Sequence, residues 1–223
     1  MKRTLILVLV FGLVFGAFAS AEAAKKKKKK PKPVETVLFF HGTAQFGEQE
    51  MPDHVTGATY MEATPAEPSG SDKSMQILNY GRGPNPNCAG NALFPVWVGK
   101  MAGTIVGDVK VKFTMASTPA KLDVRLWPDI GGQACNEAYP EPVASKQVDV
   151  PPGQGELEVV LEDVNIPVAT QLMIQINPYF DQADQAITPF IGRIFYDGAT
   201  AMSGVTFQCL PPAGANSCVA PAE

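Results

Sequence analysis

Histidine is scarce in this chain of 223 residues: His41 and His54 are the only two. Neither stands in an H-E-x-x-H frame, and the four cysteines form no C-x-x-C pair. The two histidines with Glu48, Glu50 and Asp53 make a set that is compact in sequence, but nothing presents it as a zinc site, and a polar acidic loop is the plainer reading. No serine occupies a G-x-S-x-G frame; the nearest, Ser203, has Ala201 and Val205 where the glycines would stand. That absence decides the reading of "VLFFHG", Val37 to Gly42. A His-Gly pair after an apolar strand is where some lipases and esterases build an oxyanion hole. Those enzymes also need the serine elbow, a late histidine and α/β alternation. Here nothing titrating like histidine follows His54. Val37 to Phe40 is therefore read as a first strand that Gly42 turns, with His41 an ordinary polar residue at its end. No catalytic residue is assigned, although Asp181 and Asp184 form a carboxylate pair of the kind that flanks glycosidic bonds. They lie in a Pro- and Gln-rich stretch, where solvation is the simpler fate.

The chain also lacks convincing helical periodicity, any N-x-[ST] sequon and, beyond its start, any apolar run able to span a bilayer. The start has the form of a secretory signal, residues 1–24. Lys2 and Arg3 precede the apolar stretch Leu5 to Phe18, and small residues around Ala19 to Ala23 offer A-x-A-like cleavage sites. The apolar stretch is shorter than the roughly 20 residues of a spanning helix. The expectation is export and release, or retention at the cell envelope by something other than a membrane span. Cys88, Cys135, Cys209 and Cys218 suit an oxidising compartment, and four cysteines permit three pairings. Cys209 with Cys218, close in sequence, is favoured, which leaves Cys88 with Cys135.

Charge is segregated. Residues 25–33 hold seven lysines and no acid, whereas residues 34–223 hold 9 Lys+Arg against 21 Asp+Glu, a net of −12. Residues 25–35 are read as a disordered Lys/Pro-rich arm. It would serve as a solvated spacer, lie on its own acidic body, or adhere to an anionic envelope polymer. An acidic body argues against nucleic acid.

Residues 36–210 alternate as strands do. In Asp108 to Met115, Val109, Val111, Phe113 and Met115 share one face while Lys110, Lys112 and Thr114 share the other. Leu122–Leu126, Leu157–Leu161, Leu172–Ile176 and Val205–Cys209 repeat the pattern, and Pro and Gly punctuate between them. The fold class is all-β: a two-sheet antiparallel, jelly-roll-like β-sandwich that buries these rows face to face. Residues 211–223 are read as a C-terminal tail closed by a disulfide.

The run Gly103 to Asp129, "GTIVGDVKVKFTMASTPAKLDVRLWPD", resembles the core hairpin of galactose-binding-like jelly-roll domains. The segment Ile194 to Cys209, "IFYDGATAMSGVTFQC", is similar to their closing strands. Such modules occur as C-terminal accessory domains of X-prolyl dipeptidyl peptidases and cocaine-esterase-type hydrolases. The resemblance implies a sandwich and not a chemistry, since this fold hosts sugar binding, calcium binding and plain scaffolding.

Ligand candidates follow from parity. Trp127 shares the polar parity of Asp123 and Arg125, where an exposed ring would offer a platform for sugar C–H groups, with Asp123 and Arg125 as ligand candidates for the hydroxyls. Trp97 lies in an apolar run without clear parity, and Tyr139 stands near Cys135. The alternative, and the more ordinary one, is that both tryptophans cap the edges of the core. No cofactor is expected; calcium is the ion that suits loop carboxylates best, with Asp181, Asp184 and Asp197, or Asp129 with Glu137, as oxygen donors. The reading is a secreted non-catalytic module for binding or adhesion at the envelope or outside the cell, with polysaccharide as one candidate ligand. The rival is a structural or protein-docking accessory module of a secreted enzyme, and a more distant one is a hydrolase of unrecognised type.

Overall fold

The computed structural model describes residues 31–42, 59–65, 73–78, 96–117, 120–129, 141–179, 190–196 and 202–219. All fall within one compact unit, Pro31–Glu223. Eleven strands form, and no helix occurs among the described residues: β1 Val34–Gly42, β2 Thr59–Glu62, β3 Lys73–Leu78, β4 Val96–Lys100, β5 Gly103–Ser117, β6 Ala120–Pro128, β7 Ala144–Val150, β8 Gly153–Val168, β9 Gln171–Tyr179, β10 Phe190–Tyr196 and β11 Gly204–Leu210. β1 begins at Val34, within the stretch read as arm, and Pro31 to Pro33 before it are exposed.

The strands join in the order β3-β10-β5-β11-β1-β2-β4-β9-β6-β7, with β8 on the remaining edge of β5. The sheet curls because β1 serves two neighbours. Its first half, Val34 to Phe39, pairs with β11, and its end, Phe39 to Gly42, pairs with β2. β1 thus carries the hydrogen-bond ladder from one layer to the other. The two layers enclose one core: Trp97 of β4 stacks on Phe40 with ring centroids 4.3 Å apart and meets Tyr196 of β10 edge-on at 6.0 Å. The fold is the expected all-β, sandwich-like arrangement. One pairing departs from the antiparallel expectation, since β2 and β4 run parallel.

The alternation in the sequence places its residues as read. Val109, Val111, Phe113 and Met115 are buried, and Lys110 and Lys112 are exposed. On β8 the parity breaks after Leu161, and burial resumes at Val164. The cause is an extra residue: Gly107 pairs with Val164 but Val109 with Leu161, so β8 bulges at Glu162–Asp163. Asp163 takes the left-handed conformation there, φ 54°, and its N–H donates to Asp108 Oδ1 at 3.2 Å.

The supposed hairpin Gly103 to Asp129 is corrected. β5 and β6 do not pair. β8 occupies one edge of β5, and β11 and β10 share the other, so the chain leaving β5 crosses to the second layer, where β6 lies between β7 and β9.

The C-terminal segment is built into the sandwich. Cys209 and Cys218 form the near-neighbour disulfide, with 0% and 2% exposure. In the loop-entropy account so short a ring contributes about 3 kcal/mol. Ala102 N–H donates to Cys218 C=O at 2.8 Å, and Met101 bridges Val219. Gly103 lies directly over the sulfurs with φ 146°; a Cβ there would stand 2.7 Å from each Sγ and from Leu210 O. Only glycine fits. Cys88 and Cys135 lie outside the described residues.

Candidate functional site

β6 has two buried faces. Leu122, Val124 and Leu126 enter the core at 0% exposure, as their parity requires. The opposite row was expected to be wet, and it is not. Trp127 is 1% exposed, Asp123 5%, and Arg125 is half-buried. The exposed aromatic platform is therefore corrected: Trp127 presents no open ring. Trp97, at 0%, points into the core on the other side of the sheet. This agrees with the alternative in which the tryptophans finish the packing.

The register shows that the buried row continues onto β9. Trp127 stands opposite Met173 of β9, and Arg125 opposite Gln175. Met173 is 3% exposed and Gln175 0%. Gln175 was not singled out in the sequence. Its signal was Met173, an apolar residue on the supposedly polar row of Leu172 to Ile176. An apolar residue on both parities marks a strand covered on both sides. On β7, the outer strand of this layer, the same row is exposed at Ser145, Gln147 and Asp149.

Within this layer Asp123 and Arg125 form an ion pair along one strand. Arg125 Nε donates to Asp123 Oδ2 at 2.7 Å, with side chains 16% and 7% exposed. Residues two apart on a strand share a face, which brings the pair together. The other oxygen, Asp123 Oδ1, is buried and accepts no hydrogen bond among the described residues. An unsatisfied buried acceptor costs about 1–3 kcal/mol. The indole N–H of Trp97 is likewise buried without an acceptor, but on the opposite face, so the two do not answer each other.

A second polar cluster sits where β6 ends. Asp129 has φ 52°, and its N–H donates to Gln171 C=O at 2.9 Å. Its carboxylate then receives the turn between β8 and β9: Ala169 N–H on Oδ2 at 2.7 Å, and on Oδ1 Thr170 N–H at 2.7 Å, Thr170 Oγ1–H at 3.0 Å and Gln171 N–H at 3.1 Å. Burial pushes this carboxyl up, but the hydrogen bonds from Ala169, Thr170 and Gln171 outweigh it and hold the group below the usual carboxylate range. The oxygens proposed for calcium at Asp129 are thus engaged by the protein's own donors. Among the described residues no group of three or more His, Cys, Asp or Glu side chains converges as a metal site.

His41 is 5% exposed rather than an ordinary polar residue at a strand end. Its Nε2 lies 3.0 Å from Thr64 C=O, and its ring stacks on Tyr60 at 5.2 Å. The pair joins the end of β1 to β2. Ser203 is also structural: its Oγ–H donates to Phe195 C=O at 2.6 Å and accepts Thr114 N–H at 3.2 Å, while its C=O accepts Phe40 N–H at 2.9 Å. One serine so ties β10, β5 and β1. Tyr139, Asp181, Asp184, Asp197, Glu137, His54, Glu48, Glu50 and Asp53 lie outside the described residues.

No helix among the described residues is long and apolar enough to cross a membrane. No family model matches the sequence, and no curated protein does. Solved structures do match in fold. The chain is similar to a CocE/NonD family hydrolase from Staphylococcus aureus, with a TM-score of 0.50 and 9% identity over 80% of this chain and 37% of that one. It is similar to an α-amino acid ester hydrolase, with a TM-score of 0.50 and 11% identity over 78% of this chain and 36% of that one. At such identities the likeness is one of fold. The expected kinship of fold with the jelly-roll part of cocaine-esterase-type hydrolases stands, and this chain spans little more than a third of the length of the hydrolases it matches.

Proposed function

We propose that this chain is a secreted, non-catalytic accessory module that docks on a separate protein, a hydrolase being the partner class. The observation that carries this reading is the disparity in coverage: four fifths of this chain matches little more than a third of a hydrolase. The shared part is the sandwich, a fold that by itself supplies no reaction. A buried disulfide agrees with an oxidising compartment. The burial of Trp127 and Trp97 removes the strongest support for a glycan platform. Calcium and the lysine-rich arm stay as adjuncts to be tested beside docking.

The test immobilises the mature protein and passes over it the proteins secreted by its source, with calcium or with chelator. A second column carries the protein without residues 25–33. Co-retention of an ester- or amide-hydrolysing enzyme on both columns, with turnover in the eluate, supports docking by the sandwich. Retention of the protein itself on polysaccharide, with no enzyme recovered, overturns docking in favour of glycan binding. Retention that vanishes with the lysines or with salt assigns the adhesion to the arm.

A further inference from the structure

On the buried second face of β6 and β9, Asp123 Oδ1 is an atom whose hydrogen bonding is incomplete among the described residues. Asp123 is 5% exposed; its Oδ2 is held by Arg125 Nε at 2.7 Å, and its Oδ1 is buried and accepts nothing from the described residues. The backbone on either side offers little help, because β6 lies between β7 and β9 and its peptide groups serve those two ladders. The register sets Gln147 and Asn177 beside Asp123, with Gln175 diagonal to it.

The chemistry of the missing partner follows. A carboxylate oxygen accepts and does not donate, so the occupant is a donor. Arg125 already balances the charge of Asp123, and a second cation would sit against a guanidinium. A neutral O–H donor satisfies the atom without that repulsion. We infer that Asp123 Oδ1 accepts a hydrogen bond from the hydroxyl of a bound neutral molecule, an internal water or a small polyol. Both sources supply the same bond. This inference stands apart from the docking reading, which needs no ligand inside the sandwich.

Crystals of the protein grown free of polyol, and others soaked in glycerol, test it. An oxygen peak about 2.7 Å from Oδ1 in the polyol-free crystals supports the site with water as its source. A peak that forms only after the soak supports it with a polyol as its source. A protein group donating to Oδ1, or empty density in both crystals, overturns it. Two variants sharpen the result. Asp123→Leu removes the acceptor, and the peak is lost. Asp123→Asn keeps the shape should the leucine variant fail to fold: its oxygen serves Arg125 and its N–H turns toward the site. A hydroxyl or water then accepts instead of donating, and stays, with the contact lengthened to about 2.9 Å. An occupant expelled by Asp123→Asn would be a cation, and the inference of a neutral donor would fall.

Discussion

Asp129 and Thr170 meet through two hydrogen bonds on one oxygen: the backbone N–H of Thr170 reaches Oδ1 at 2.7 Å and its hydroxyl at 3.0 Å. The contact spans two strands' ends and lets one carboxylate organise the β8–β9 turn. Its folded-state affinity for a proton is lowered. The stability it supplies is therefore present above the unfolded carboxylate value near 4 and is lost as pH falls through the lower folded value. Asp129→Asn should cost about 1 kcal/mol at pH 7. Urea unfolding at neutral pH and near pH 3 should show the gap between the two proteins narrowing in acid. A gap independent of pH would refute the assignment.

Gly103→Ala should be among the most damaging small changes. The added Cβ meets two sulfurs and a carbonyl at 2.7 Å. Strain of this kind costs about 2–4 kcal/mol, and the simplest relief is to leave Cys209 and Cys218 unbonded. Mass mapping of the refolded variant should find that pair reduced or mispaired. A normal bridge with unchanged stability would contradict the packing described.

Ser203→Ala removes the hydroxyl between Phe195 C=O and Thr114 N–H. Both groups then lose a partner, for about 1–3 kcal/mol. The unfolding midpoint should fall, while Ser145→Ala, on an exposed row, should leave it unmoved.

Trp127→Ala should destabilise by about 3–5 kcal/mol, as truncation of a buried indole does. Any loss of retention on a polysaccharide column should then track unfolding by circular dichroism. A folded variant that loses only retention would restore the platform that its 1% exposure excludes.

Lys146 stands on the core-side row of β7, the end strand of its layer, and reaches Glu162 of β8 at 3.0 Å. Such an exposed pair is worth less than about 1 kcal/mol. Its value lies in guarding an edge, since an inward charge discourages a second chain from pairing there. Lys146→Val should leave thermal stability nearly unchanged and raise light scattering on storage.

The strands were legible because a half-buried strand writes its environment at every second residue. Asp108 to Met115 shows this: its valines enter the core and its lysines do not. The failures have an equally physical source. Parity reports which residues share a face and not whether the second face is covered, so it groups Trp127 with the polar row and leaves its exposure open, although Met173, its partner across β9, is apolar. Strand pairing is nonlocal. Hence β5 and β6, adjacent in sequence, read as a hairpin although both edges of β5 are taken by other strands. The bulge at Asp163 and the carboxylate clasp of Asp129 depend on backbone conformations that a single letter does not announce. The near disulfide was readable because a short separation limits where the sulfurs can go.

The place of β11 has a consequence for the order of manufacture. Of the eleven described strands this one comes last in the chain, and it lies in the interior of the sheet, between β1, the first of them, and β5. Until its residues exist, β1 and β5 have no common neighbour, and the ladder is cut in two. The sheet therefore cannot be completed before β11 has been made, and the buried bridge joins Cys209 of that strand to Cys218 after it. Closure of the sheet is thus a late and nonlocal step of folding, since the ten earlier strands lie in two separate ladders until β11 docks.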